Sequence, residues 1–236
     1  MTLTALPQLL RSEPDLTALL GARHGLLAVA EPARAFVLAG LAVASTRRPL
    51  VVVTPSGTDA ERVAHDLRAY LGVDEVDVFP AWETLPFERV SPSVETMALR
   101  LRAMWKLRSN EPPAVVVAPI KALLQRLGPH VEDTDPIVVR PGDVVDPQNL
   151  VEQLVGLGYR REYQVEHRGE VAVRGSIVDV YPATADAPVR IDLWGDEVER
   201  LTEFSVHDQR STIEVDESVL FGCRELRPTA EVRARA

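Results

Sequence analysis

The residues between 171 and 206 constrain the fold most, because they alternate apolar and polar side chains over successive strand-length runs. Within this stretch, Val189–Trp194 has an apolar residue at every second position, the period of a strand with one buried face. Gly175 predicts a kink or bulge inside the first run, and Gly195-Asp196 predicts a hairpin turn. We therefore predict an antiparallel meander that buries one face and presents Arg174, Arg190 and Trp194 together on the other.

The first half of the chain has a different pattern of apolar residues. Short, continuously apolar runs alternate with helix-like segments, which is typical of a parallel sheet with helices on both faces. The predicted strands are Leu26–Ala30, Leu50–Thr54, Asp77–Phe79 and Val115–Ala118. Because parallel strands are joined by right-handed crossovers, residues 1–134 are predicted to form a doubly wound α/β domain.

The second half is predicted to be a smaller α+β domain with an antiparallel sheet, over residues 135–236. Proline-bearing loops precede it, and its strands alternate instead of running continuously apolar. The tail from Glu225 is polar, which predicts a frayed end. In the insertion before the fourth strand, Ser91 is predicted to cap a helix whose first residue is Pro92, with a mainly packing role.

Charge and cysteine content limit the classes of function. The net charge of −9 argues against DNA binding by these residues alone, since phosphate contacts need clustered cations. Cys223 is the one cysteine and the five histidines are scattered, so the sequence predicts neither a disulfide nor a metal site. No apolar run approaches the length of a membrane span, and we expect a cytoplasmic protein.

Two stretches carry a resemblance to a known family. The longer one, VRGSIVDVYPATADAPVRIDLWGDEVERLTEFSVHDQRS, closely resembles the second domain of the bacterial transcription-repair coupling factors (Mfd). That domain is similar to the UvrA-binding domain of the excision-repair protein UvrB. Residues 79–101, FPAWETLPFERVSPSVETMALRL, look like part of the first domain of the same family. The resemblance implies an N-terminal region of such a factor, in which the first domain is a degenerate helicase-type scaffold.

The position of a phosphate-binding loop lacks the chemistry that nucleotides need. A helicase-type domain would carry GxxxxGK[ST] after its first strand, where amides and a lysine hold phosphates. Residues 30–35 read AEPARA, with no glycine or lysine, and Glu31 would repel phosphate while Pro32 lacks an amide donor. We expect no cofactor in this chain, and the family resemblance implies the same.

The resemblance also implies partners and site residues. The arginines and the aromatic residue through which the family contacts UvrA match Arg174, Arg190 and Trp194. The expected function is recruitment of UvrA to lesions where RNA polymerase has stalled, by recognition and not by catalysis. Elsewhere in the parent protein, motor domains that use ATP and Mg²⁺ would translocate on double-stranded DNA and act on RNA polymerase. Another parent domain is expected to be able to mask the UvrA-binding face.

The residues give weaker support to other functions. A nucleotide-binding motor domain as in UvrB would need the missing phosphate loop, and an unrelated small-ligand α/β protein would use the loop Thr54–Gly57. Paired carboxylates can do acid–base or metal chemistry, but no histidine or nucleophile accompanies those of the acidic hairpin. Three arginines near residue 165 are interspersed with acidic residues and predict a solvated face. The acidic hairpin comprises Asp192, Asp196, Glu197 and Glu199, and the arginines are Arg160, Arg161 and Arg168.

Overall fold

A computed structural model describes residues 3–85, 88, 90–128 and 131–226. The chain divides into two compact units, and each unit takes residues from two separate parts of the sequence. The first unit contains residues 1–81 and 103–126, and the second contains residues 82–102 and 127–236. The boundary that we placed at residue 135 remains a prediction.

A parallel sheet of three strands lies at the centre of the first unit. The strands are β1 (Leu50–Thr54), β2 (Val76–Val78) and β3 (Val115–Pro119), in the order β1-β3-β2. All residues of β2 and β3 are buried, including the charged Asp77 of β2, as expected for strands of a parallel sheet covered on both faces. The predicted α/β fold class is therefore confirmed for this unit, and three of the four predicted strands form its sheet.

Helices pack against this sheet. Those of the first unit begin with α1 (Pro14–Gly21) and α2 (Arg34–Ala44). They continue with α3 (Gly57–Leu71) and α5 (Ile120–Leu124), while α4 (Val94–Arg108) runs from the second unit into the first. Alanines on α2 and α3 pack on the strands, because a small side chain lets a helix approach a sheet closely. These alanines are Ala35, Ala39, Ala42, Ala60 and Ala64. None of the described helices has the length and apolarity needed to cross a membrane.

The predicted strand Leu26–Ala30 is wrong. These residues form no ladder with the sheet, and Leu26 is almost fully exposed. An apolar run becomes a strand only when a neighbouring edge pairs with it, and here it does not reach one. On β1, Val51 and Val53 are about half exposed, so the predicted cover on both faces does not extend to this edge strand.

A sheet of six strands forms most of the second unit. Four of them make the predicted antiparallel meander: β6 (Glu170–Arg174), β7 (Ile177–Val180), β8 (Val189–Trp194) and β9 (Glu197–Phe204). The strand β10 (Ser211–Glu214), which was not predicted, continues the meander beyond β9. The short strand β5 (Arg160–Arg161) extends the sheet in parallel to β6. A separate pair joins β4 (Ile137–Val139) to β11 (Ser218–Leu220).

The helix α6 (Pro147–Gly156) lies against β5 and β6. It starts at Pro147, because a proline needs no hydrogen-bond partner at the first position and the Asp146 carboxylate accepts from the Asn149 amide at 2.8 Å. Its buried face consists of Leu150, Val151 and Leu154. The predicted α+β architecture is thus confirmed.

Two glycines shape the meander differently from each other. Gly175 was predicted to kink a strand, but it instead forms a two-residue turn with Ser176, at φ 62°, between Arg174 and Ile177. The turn at Gly195-Asp196 is confirmed, with Gly195 at φ 66°. Register shifts occur between β8 and β9, after Asp192, and between β9 and β10.

The insertion at residues 82–102 is tied into the second unit by one buried ion pair. Arg100 donates through Nε to Oε1 of Glu225, and the two side chains are 0% and 2% exposed. The indole Nε1 of Trp82 donates to the same oxygen at 3.1 Å, and the Arg100 guanidinium lies 5.2 Å from the Trp82 ring centroid. Glu225 is therefore a core residue, which corrects the frayed end predicted from that position; residues 227–236 of the predicted tail lie outside the described residues.

The helix in this insertion also begins differently from the prediction. Ser93, and not Ser91, accepts a hydrogen bond from the Thr96 amide at 3.1 Å. Glu83 accepts from the hydroxyl groups of Ser93 and Thr96. Burial would raise the pKa of Glu83, but these hydrogen bonds hold it below the ordinary value. The packing role predicted for the insertion agrees with the burial of Met97 and Leu101.

We expect Arg100→Met to lower the free energy of unfolding of the second unit by about 3–5 kcal/mol, because it leaves Glu225 as an uncompensated buried charge. Urea denaturation followed by circular dichroism measures this change. The double variant Arg100→Met/Glu225→Met should be the more stable of the two, since neither charge is then buried alone. A single variant as stable as the wild type would show that the pair does not hold the insertion in place.

Candidate protein-binding face

The strand register brings the predicted site residues onto one face of the meander. Arg190 on β8 is directly opposite Asp179 on β7, and Asp179 is opposite Ala172 on β6. Because side chains alternate along a strand, Arg174 shares the face of Ala172, and Trp194 shares the face of Arg190. The structure therefore groups Arg174, Arg190 and Trp194 as the alternation predicted, although their role as contact residues remains a prediction.

The carboxylate of Asp179 is the centre of this face, and the sequence analysis missed it. Asp179 is 1% exposed. Its Oδ1 accepts from Nε of Arg190 at 2.7 Å and its Oδ2 from Nη2 of Arg190 at 3.0 Å, a bidentate pair. Oδ2 also accepts from Nη2 of Arg174. One buried carboxylate thus fixes both predicted arginines.

Arg190 is held from several sides. Its Nη1 donates to the carbonyl of Gln209 at 3.1 Å, and its Cζ lies 4.8 Å from the centroid of the Phe204 ring. Gln209 adopts a left-handed conformation, at φ 60°, in the loop that covers the guanidinium. The hydrogen bonds to Asp179 raise the pKa of Arg190, against the opposing effect of burial. With 14% of its side chain exposed, Arg190 offers little surface of its own and mainly fixes the position of its neighbours.

Arg174 and Trp194 are the accessible members of the group. The Arg174 side chain is 38% exposed although it is bound to Asp179, and Trp194 is 80% exposed. Trp194 is the last residue of β8, immediately before the turn at Gly195. Its backbone is paired with that of Glu197, the first residue after the turn. An indole this exposed on a paired strand provides apolar contact area at a small ordering cost.

Two of the three arginines near residue 165, Arg160 and Arg168, have partners among the acidic residues around them. Arg160 donates to Glu170 at 2.8 Å, and Arg168 donates to Glu95 at 2.9 Å and to Asp186 at 2.7 Å. Glu170 also accepts from two amides of the loop before β6. Burial alone would raise the pKa of Glu170, but these amides and the neighbouring cations hold it below its ordinary value. These interactions fit the predicted solvated face without a basic surface.

The acidic hairpin does not assemble a catalytic group. Asp192 accepts from Nε and Nη2 of Arg200 at 3.2 and 2.9 Å, and this hydrogen bonding raises the pKa of Arg200. In the part of the chain that the structure describes, no three histidine, cysteine or acidic side chains are arranged to hold a metal ion. Cys223 is buried, which raises the pKa of its thiol to about 12, so it is protonated at neutral pH.

Two positions in the first unit were candidates for small ligands. At the loop predicted in place of a phosphate site, Glu31 is paired with Arg62 at 3.1 Å beside a cavity of about 290 Å³. After β1, the Ser56 hydroxyl accepts from the Asp59 amide at 3.1 Å and donates to its carboxylate, and Thr54 donates to the Ser56 carbonyl. The polar groups of that loop therefore cap α3.

A signal for Asp179 was present in the sequence. It lies between Val178 and Val180 in a strand, so alternation places it on the face of Arg190, and a charge inside a strand needs a partner. The Gln209 carbonyl had no such signal, because its position depends on the path of a loop. A search for opposite charges on adjacent predicted strands would have identified the contact between Asp179 and Arg190. It would not have identified the contact between Arg190 and the Gln209 carbonyl.

Replacement of Asp179 by Asn should lower the free energy of unfolding by about 2–3 kcal/mol, because charge-assisted hydrogen bonds to two arginines are lost in a buried place. Arg174→Ala should cost less than about 1 kcal/mol, since its pair is partly exposed. Chemical denaturation of both variants beside the wild type measures the difference. Equal losses would contradict a central role for Asp179.

The Glu170→Gln variant should lose about 1–3 kcal/mol of stability at pH 7, because a charged acceptor of several hydrogen bonds is removed. The pKa of Glu170 is lowered on folding, so its contribution is present above the ordinary value of 4.5 and is lost as the pH falls through the folded value. The stability gap to the wild type should therefore close in acid. Glu162→Gln, an exposed neighbour, is the control, and a gap that is independent of pH would refute the assignment.

Comparison with known proteins gives a consistent result over both units. The UvrB interaction domain family matches residues 137–225. The chain is 42% identical over 224 residues to a transcription-repair-coupling factor of Mycobacterium tuberculosis, which covers 92% of the chain and 18% of that protein. Identity is 35% over 193 residues with the Bacillus subtilis factor and 32% over 169 residues with that of Escherichia coli. These two matches cover 81% and 71% of the chain, respectively. They cover only 16% and 14% of the two relatives, so the chain spans less than a fifth of the length of these proteins. The resemblance drawn from the sequence is confirmed.

Proposed function

Because the chain corresponds to an N-terminal region of the transcription-repair-coupling factor family, we propose that it recruits UvrA to lesions at which RNA polymerase has stalled. The proposal is one of protein recognition without catalysis by these residues. The observation that supports it most is the presence on one face of the meander of an exposed Trp194 and of an Arg174 that a buried carboxylate holds in place. Tryptophan and arginine are the side chains most enriched among residues that dominate binding energy.

The rigidity of the face supports this function. Asp179 is fixed within two backbone ladders, and both arginines are bound to it before any partner arrives. A side chain that is already ordered loses less conformational entropy when it is buried at an interface. Arg190 contributes by holding the Asp179 carboxylate in place through a bidentate pair. The proposed contacts are Trp194 and the exposed part of Arg174.

The wider setting is part of the same proposal. The parent protein would use ATP and Mg²⁺ in separate motor domains to move on double-stranded DNA and displace RNA polymerase, in the cytoplasm. The covered relatives are five to seven times as long as the matched region, which leaves room for such domains. One of them would mask the UvrA-binding face in the resting protein.

Titration of this chain with purified UvrA tests the proposal. We expect saturable binding that Trp194→Ala weakens by about 2 kcal/mol or more, as for an aromatic hot spot. Tyr163→Ala is the matched control, because Tyr163 is also an exposed aromatic residue, at 88%. Calorimetry or an optical biosensor measures the affinity, and circular dichroism confirms folding. Absence of binding by the wild type at tens of micromolar would reject the proposal.

The same titration tests Arg174. Arg174→Glu should weaken binding, while Arg161→Glu should not, because Arg161 pairs with Val171 and so belongs to the opposite side of the sheet. Reversal of Arg190 is a poorer test, since a glutamate there would face Asp179 in a buried place and unfold the meander. Binding that survives both Arg174→Glu and Trp194→Ala would retain the partner and reject the site.

A further inference from the structure

An exposed valine extends the surface around Trp194. Val144 is 76% exposed and forms an antiparallel bridge with Glu197, which is itself paired with Trp194. Residues directly opposite each other in such pairs project to the same face, so Val144, Glu197 and Trp194 form a row across three adjacent chain segments. Two exposed apolar side chains therefore flank one exposed glutamate.

The backbone under this row is fixed by hydrogen bonds. The amide of Val145 donates to the carbonyl of Asp196 at 2.6 Å. The amides of Gly142 and Val198 donate to the carbonyls of Val198 and Asp143, each at 2.8 Å. The segment that carries Val144 is thus paired to the start of β9 and presents its side chain beside the hairpin without further ordering.

The unpaired charge at the hairpin is negative. Three exposed acidic residues, Asp196, Glu197 and Glu199, have no ion-pair partner within 4 Å among the residues that the structure describes. The cations nearby are already bound, Arg174 and Arg190 to Asp179 and Arg200 to Asp192. Residues 137–225 contain nine arginines against eighteen aspartates and glutamates, a difference of −9 that equals the net charge of the whole chain.

We propose that Val144, Trp194, Asp196, Glu197 and Glu199, together called the hairpin surface, dock into a site on UvrA that is apolar at its base and lined by lysine or arginine at its rim. This inference rests on the proposed function and specifies the chemistry of the partner's site. The two apolar side chains fill the base, and the three carboxylates meet the basic rim. A partner surface rich in carboxylates would be repelled by this edge.

Association kinetics test the charge part of the proposal. Complementary charges at the rim of an interface act mainly on the association rate and on its dependence on salt. We expect Glu197→Lys/Glu199→Lys to slow association with UvrA by roughly tenfold in low salt and to approach the wild-type rate in high salt, where charges are screened. Glu152→Lys/Glu162→Lys, at two exposed positions away from the hairpin and with the same total change of charge, should leave the rate unchanged.

The affinity of a valine variant tests the apolar part. Val144→Ser should weaken binding by roughly three- to tenfold, because it removes apolar area that the complex would bury. Val155→Ser is the matched control, since Val155 is also exposed, at 46%, and lies on α6. Circular dichroism verifies that each variant folds like the wild type.

The outcomes separate this inference from the proposed function. If wild-type protein does not bind UvrA, the proposed function fails, and the inference fails with it. If the wild type binds and Trp194→Ala weakens binding, but Glu197→Lys/Glu199→Lys associates as fast or faster, only the basic rim is refuted. If Val144→Ser binds like the wild type, the hairpin surface does not extend to that residue. Loss of rate and of affinity in both tests, with unchanged controls, supports the proposal.

Discussion

The Asp179 carboxylate is the interaction on which the candidate face depends. A charge buried within a strand is costly unless it is paired and hydrogen-bonded, and here two guanidinium groups satisfy it. Because the register of three strands places these groups together, a slip of one residue would separate them and turn their side chains to the opposite face. The same ion cluster therefore holds the register of the meander and orients the arginines.

This arrangement gives different roles to residues that look equivalent in the sequence. Arg190 is covered and acts on the shape of the face, whereas Trp194 projects into solvent from the end of its strand. A guanidinium with its donors already used attracts a partner's carboxylate only weakly. The charges at the hairpin that have no ion-pair partner among the described residues are negative. The accessible edge is therefore acidic, although arginines lie on the same face.

The sequence was most informative where structure depends on neighbouring residues. Alternation along Val189–Trp194 predicted both the strand and its outward face, and Gly195-Asp196 predicted the turn, because these features are local. It failed where the outcome depends on distant partners. Leu26–Ala30 has the composition of a strand but no edge to join, and Glu225 is polar by type but buried because Arg100 lies beneath it. For the site, the three named residues share one face, whereas Asp179 was overlooked since charges were not paired across strands.

The interleaving of the two units bears on how the protein forms during synthesis. All parts of the first unit have been made once residue 126 is complete, but the insertion at residues 82–102 must wait for Glu225. The two partners are 125 residues apart, which at ribosomal speeds is a delay of roughly 6–25 s. During this interval Arg100 and the apolar side of its helix lack their final cover. Glu225 thus completes the anchoring of the insertion, and a ribosome that stops before this residue leaves the insertion without its ion pair.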